Sequence, residues 1–347
     1  MCDLSHAGGV SNAILSAFSL GFPWQTFDPF LFCVHHDDAY PAGNEAMGPA
    51  ASLAGRQIGM DFAGKDGWRM YHGATVPGFP RHPHRGFETV TVARRGYIDH
   101  SDSLGAKARF GNGDCQWMTA GRGIVHSEMF PLVHRTKPNP TELFQIWLNL
   151  PAEDKLVDPY FEMLWDRDIP RVEQRDTNGH TSEIVVYAGD FEGALPPSPP
   201  PNSWASRVDS EVAIWTLRME PGARLRLPAA SAGLNRTLYF FAGTSIEVGG
   251  VRVDQHAGLR VRPDLVVDII NGPDEAELLM LQGRPIDEPV AQHGPFVMNT
   301  RAELHQAMVD YRRDGFGGWP WASDGPVHER EAGRFAVRAD GAEEAAE

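Results

Sequence analysis

Cysteine is scarce: Cys2, Cys33 and Cys115 are the only three among 347 residues. So few thiols, odd in number, build no disulfide framework and fit a reducing compartment. Long hydrophobic runs are also missing. No apolar stretch approaches the ~18 residues of a transmembrane helix. The mildly apolar stretch Val10 to Phe22 is interrupted by Ser and Asn and has no basic residue before it, which argues against a secretory leader. Positive charge is in deficit, with 31 Lys plus Arg against 46 Asp plus Glu, a formal net charge of −15. Such a surface repels phosphate backbones, and no basic run offsets it, so no direct nucleic-acid partner is expected. These absences leave a chain with no membrane association, expected in the cytoplasm. With no coiled coil and no repeat that demands assembly, a monomer is the expected state.

Turn-forming residues are abundant instead, with 36 Gly and 27 Pro. At about 150 residues per domain, the length predicts two domains. Phe87 to Ala93 (FETVTVA) alternates and is rich in β-branched residues, and Leu143 to Leu150 is a near-continuous apolar run; both read as strands. Further strands are predicted at Tyr97 to His100, Cys115 to Met118, Glu183 to Ala188, Val212 to Met219 and Thr237 to Ala242, then in short pieces from Ser245 to Gln282. Many short strands with regular turns indicate a sandwich or barrel. The domain boundary is expected between Pro170 and Gly179, and PPSPPP at Pro196 to Pro201 reads as a stiff linker or a surface loop. One helix is signalled near the C-terminus. Thr300 and Glu303 form a capping box, Leu304, Ala307, Met308 and Tyr311 follow at helical spacing, and Gly315 stops it. The last stretch, rich in Ala and Glu, reads as a flexible acidic tail.

Two short patterns carry chemistry. His82-Pro83-His84 and His126-Ser127-Glu128 each place two ligand-type side chains at i and i+2, on one face of a strand. Brought together in a barrel, they would set three imidazoles and one carboxylate around a point. Such a set suits iron, manganese, nickel, copper or zinc and leaves positions open for water, dioxygen or a substrate oxygen. A single HxH reads equally as a hydrogen-bonded pair; it is the second pair that points to a metal. Glu88 is a rival carboxylate, with the parity of His82 and His84 on an unbulged strand; its other reading is a supporting hydrogen bond or ion pair. Phe79, Phe87, Trp117 and Phe130 stand nearby as candidate walls for a flat substrate, or as ordinary barrel core.

The segments FPRHPHRGFETVTVARRGYIDHSDSLG and GDCQWMTAGRGIVHSE closely resemble the pirins, a branch of the cupin superfamily. QHGPFVMNT at Gln292 to Thr300 and Phe27-Asp28-Pro29-Phe30 add to the likeness, and these motifs frame residues from about 25 to 318. The resemblance implies an all-β chain of two tandem β-barrel cupin domains packed face to face. It divides the chain into an N-terminal segment 1–24, a metal-binding cupin 25–175, a metal-free cupin 176–318 with a closing helix 301–314, and the tail 319–347. It implies one iron ion held by His82, His84, His126 and Glu128. The general cupin pattern would place the carboxylate at Glu88, the pirin pattern at Glu128. A segment of about 33–77 is foreign to the pattern and expected to reshape the pocket mouth. Within it, His35-His36-Asp37-Asp38 reads as a polar loop, with a second metal site as the alternative.

What pirins do suggests two functions. Some resemble quercetin 2,3-dioxygenases, which open a flavonol ring with O2. Glu128 would then take the substrate proton, with Glu88 as the fallback base. Others resemble redox-sensing partners of proteins, in which the oxidation state of the metal alters partner affinity.

Overall fold

The computed structural model describes residues 13–346. Cys2 and the first half of the segment expected at 1–24 lie outside the described residues. The described residues are mainly strands, with one α-helix among them, Arg301–Asp314. Thr300 caps that helix through the backbone N–H of Glu303, whose carboxylate returns to the Thr300 N–H, and Gly315 closes it in the left-handed region. No helix among the described residues is long and apolar enough to cross a membrane.

The described residues form two compact units. The first comprises residues up to Val34 together with Arg167–Asp287. Its larger sheet runs Ile14–Ser19, Ala257–Val261, Asn235–Ala242, Ala276–Gly283, Ala213–Met219, Thr181–Ala188 and Arg171–Arg175. A four-stranded sheet, Arg224–Leu227, Val267–Asn271, Ile246–Val248 and Val251–Val253, accompanies it. Inward side chains from both sheets, among them Val186, Leu217, Leu225, Leu238, Phe240, Ile269 and Met280, fill one apolar core.

The second unit comprises His35–Asp166 and Glu288–Glu347. Its five-stranded sheet runs Tyr160–Leu164, Cys115–Thr119, Phe87–Arg95, Asn139–Asn149 and Phe30–Tyr40. Its six-stranded sheet runs Glu343–Ala346, Arg334–Val337, Lys107–Gly111, Tyr97–Asp102, Ile124–Met129 and Gly78–His84.

Three boundaries differ from the sequence reading. The segment expected to precede the domains supplies Ile14–Ser19 as an edge strand, paired antiparallel with Ala257–Val261. The helix 301–314 belongs to the unit that holds His82, not to the other barrel. Leu304 and Ala307 pack with Val125, Phe296 and Phe316, and Arg85 pairs with Asp310 at 2.8 Å. The stretch 319–347 is no flexible tail over its described length. Arg334–Val337 adds to Lys107–Gly111 as a strand, and Arg334 pairs with the buried Asp114 at 2.8 Å. Composition missed this because backbone pairing and ion pairs such as Arg334–Asp114 fix the segment, not apolar bulk.

His35 to Asp38 is likewise no loop; it lies within the strand Phe30–Tyr40. Alternation sends His36 and Asp38 into the interior, where both bond the Tyr71 hydroxyl, His36 Nδ1 at 2.7 Å and Asp38 Oδ2 at 2.6 Å. Arg69 reaches Asp38 at 3.1 Å. The rest of the unusual segment is thereby pinned to the barrel: Trp68, Met70 and Tyr71 are buried in the same cluster as Tyr40 and Phe130.

Candidate metal centre

The histidine strands are adjacent in the six-stranded sheet, and their register sets His82 directly opposite His126. Gly78, which opens the first of them, has φ 129°, and a Cβ there would meet the Glu128 carbonyl at 2.4 Å. Only glycine allows the two strands to come so close. On the other flank of Ile124–Met129, the register sets His100 opposite Glu128 and Asp102 opposite His126. One face of the sheet therefore presents His82, His84, His126, Glu128 and His100 together.

His82, His84 and His126 each offer a ring nitrogen, and these lie within 4.8 Å of one another; they are the one such group among the described residues. The rings are 4.4 to 4.8 Å apart between centroids. Pro80 O accepts from His82 Nδ1 at 2.9 Å, which fixes the tautomer and leaves Nε2 as a lone pair. Both nitrogens of His126 and Nδ1 of His84 are buried without a hydrogen-bond partner. Buried polar atoms normally have partners, so a triad this bare fits a cation as its missing partner. Burial lowers all three pKa values, that of His82 to about 4 and those of His84 and His126 well below the usual range. The rings are thus neutral at neutral pH, the form that ligates.

Glu128 is 3% exposed, its Oε2 4.0 Å from His126 Nε2. Its carboxylate accepts from Thr91 Oγ1 at 3.1 Å and from Gln145 Nε2 at 2.7 Å. Burial raises its pKa, while His100, Thr91 and Gln145 oppose the rise. Thr91 and Gln145 come from the five-stranded sheet and were not picked out from sequence; only their register, residue 91 opposite 145, places them. His100 was missed too, although His100 and Asp102 share the i, i+2 spacing of the other pairs. Its Nε2 lies 3.2 Å from Asp102 Oδ2, and its ring 5.5 Å from that of His126.

The structure turns Glu88 away from the centre. The strand Gly78–His84 ends at Arg85-Gly86; Gly86 has φ 84°, and the next strand, Phe87–Arg95, belongs to the other sheet. Parity is reset there. Phe87, Thr89 and Thr91 face the histidines, whereas Glu88 shares its face with Val90 and accepts from Thr119 at 2.6 Å. Trp117 pairs with Val90 and lies on that same outer face, so it is not a pocket wall. Phe79 does stand by the site, 6.4 Å from the His82 ring, with Phe130 at 6.1 Å behind it. Phe87 lies 5.0 Å from His84, and Trp147, missed from sequence, 5.5 Å from it.

Two strand-built cupin domains, one carrying a three-histidine centre, define the class of protein. The chain belongs to the pirin family: the pirin model matches residues 19–148 and the pirin C-terminal cupin domain model matches residues 214–317. A Pseudomonas aeruginosa protein named "Putative quercetin 2,3-dioxygenase" is 39% identical over 243 residues, covering 69% of this chain and 79% of that protein. Human pirin is 33% identical over 256 residues, 71% of this chain and 81% of its own length. A crystal structure of quercetin 2,3-dioxygenase from Acinetobacter baumannii superposes with a TM-score of 0.68 at 26% identity, covering 88% of this chain and 98% of that one.

Proposed function

We propose that this chain is a metal-dependent dioxygenase of the quercetin 2,3-dioxygenase type, acting with O2 on a flavonol-like or other aromatic hydroxy compound. The observation that carries the reading is the convergence of three neutral imidazoles, two buried and His82 half-buried, beside one buried carboxylate. His82, His84 and His126 would hold the ion, with iron the expected metal, and Glu128 stands in reach as the fourth ligand or as the base. When bound, the ion supplies Lewis acidity and a place where substrate oxygen and O2 meet.

The remaining work falls to the side chains. Phe79 on one side of the triad, and Phe87 with Trp147 on the other, flank a flat ring and exclude water. Glu128 Oε2 takes the proton of the substrate hydroxyl, since a carboxylate raised by burial returns and accepts protons near neutral pH more readily than a solvated one. Thr91 and Gln145 aim that carboxylate by holding both its oxygens. Anaerobic loading with Fe(II), followed by oxygen uptake over a flavonol panel, tests the reading. Substrate-dependent uptake with one bound iron is expected; one bound iron with no uptake across the panel overturns it.

A further inference from the structure

The barrel of the first unit is filled with apolar side chains except at one end. On its inner face, Leu238 and Phe240 continue to Arg236, and Leu278 and Met280 continue to Gln282. Arg236 stands opposite Gln282 in the register, and Gln282 opposite Ala213. Two polar side chains thus close an otherwise apolar interior at a single level. Arg236 is only 2% exposed.

Its contacts satisfy hydrogen bonding but not charge. Nε donates to Gln282 Oε1 at 2.6 Å, and one terminal nitrogen donates to Pro228 O at 2.8 Å. Both partners are neutral. The Gln282 amide is fixed in turn by donating to Glu211 O at 3.1 Å. Among the described residues, no carboxylate forms an ion pair with Arg236. The nearby Glu211 carboxylate is taken by Arg284 at 3.2 Å and by the Ser231 N–H at 3.2 Å. A buried guanidinium without a counter-charge is unfavourable. Burial pushes it down to about 10, with Glu211 opposing, so it remains charged at neutral pH.

Arg236 and Gln282 line a cavity of about 550 Å³, within the ~300–1,000 Å³ of small-molecule sites. Its walls are largely apolar: Trp215 from the inner face, and Leu195, Pro196, Pro197 and Pro199 from the proline segment, which is a cover over this barrel mouth rather than a linker. The Trp215 indole is anchored on Ala188 O at 3.0 Å, and so presents a fixed surface. Asp190, also on the wall, accepts from the Gly193 N–H at 2.6 Å.

We propose that this cavity binds a small monocarboxylate with an apolar body, the carboxylate on Arg236 and the body against Trp215 and the prolines. Arg207 and Glu211 also line the cavity. Glu211 is held by Arg284 and the Ser231 N–H, so Arg236 is the buried cation that faces a ligand, and a guanidinium fork matches the two oxygens of a carboxylate. The site is separate from the histidine centre and needs no metal.

Calorimetric titration of the full chain with benzoate and with its neutral isostere benzamide tests this, as metal-free protein and after Fe(II) loading. Saturable benzoate binding is expected in both forms, with benzamide weaker by about 10- to 100-fold, as loss of a charge-assisted bond implies. Arg236→Met should abolish the preference for benzoate. Arg236→Lys, which keeps the charge and loses the fork, should weaken binding about tenfold and serves if the Met variant does not fold. Absent saturation, equal binding of benzamide, binding only after metal loading, or variants that bind like the parent would each overturn the proposal.

Discussion

Gln145 Nε2 donates to Glu128 Oε2 at 2.7 Å, across the barrel from one sheet to the other. The bond fixes which way the carboxylate faces beside the histidine triad. Glu128→Gln keeps the size of the side chain and removes its basicity. It should lower kcat by about 100- to 10,000-fold, the usual worth of a positioned base. Gln145→Leu should lower kcat/KM by about tenfold through loss of one bond to a charged group, with metal content unchanged. Steady-state kinetics and metal analysis on the same preparations check both; full activity in Glu128→Gln would remove Glu128 from the chemistry.

Metal should also register as stability. An ion bound only by the folded chain adds about 2.7 kcal/mol at one hundred times its Kd. Loading should raise the melting temperature of the parent and leave that of His126→Ala unmoved, because the His126 ring lies against both other rings of the triad and neither of its nitrogens has a hydrogen-bond partner. An equal rise in both proteins would place the ion elsewhere.

Much of this centre was legible because its spacing is local. His82 with His84 and His126 with Glu128 each need only strand alternation to share a face. Glu88 stood as a rival only while alternation was carried through Arg85-Gly86, where a positive φ and a change of sheet reset it; its other reading, a supporting hydrogen bond, is the one it makes with Thr119. Trp117, read as a pocket wall or as core, is core: it is buried on the face of Val90, and nearness in sequence does not say which face of a sheet a residue takes. Thr91, Gln145 and Trp147 depend on the register of distant strands, which no local pattern encodes. The helix 301–314 was read correctly to the residue, caps included, yet assigned to the wrong barrel, because capping says nothing of what a helix packs against.

Stability should fall in acid partly through Glu142. Burial pushes its carboxyl up, but His35, Arg94 and Arg95 overcome that and hold it at about 2. His35 Nε2 and Arg95 Nε lie 3.0 and 2.8 Å away. A carboxyl with a depressed folded pKa stabilises the fold above its ordinary pKa and loses that contribution as pH falls through the folded one. The window is therefore about 4.5 down to about 2. Glu142→Gln should lower stability at pH 7 by about 1–2 kcal/mol and flatten the decline across that window. Urea midpoints measured at several pH values decide; parallel curves for parent and variant would assign the acid loss to other groups.

The C-terminal segment offers the sharpest contrast between composition and structure. Arg109 pairs with Asp99 through two contacts of 2.7 Å, both side chains buried. The same guanidinium donates to the carbonyls of His328 at 3.0 Å and Glu329 at 2.7 Å, and the His328 N–H donates to Asp99 at 2.8 Å. A chain ending at Arg330 keeps these bonds and loses the strands Arg334–Val337 and Glu343–Ala346, with the Arg334–Asp114 and Arg338–Glu162 pairs. A chain ending at Gly325 strips the backbone from the ion pair and leaves buried polar groups unmet, at about 1–3 kcal/mol each. Chemical denaturation should thus rank the full chain above the Arg330 truncation, and that well above the Gly325 truncation. Arg109→Met, which strands Asp99 in the interior, should cost about 3–5 kcal/mol. If both truncations unfolded at the same midpoint as the full chain, the segment would be the dispensable tail that its composition suggests.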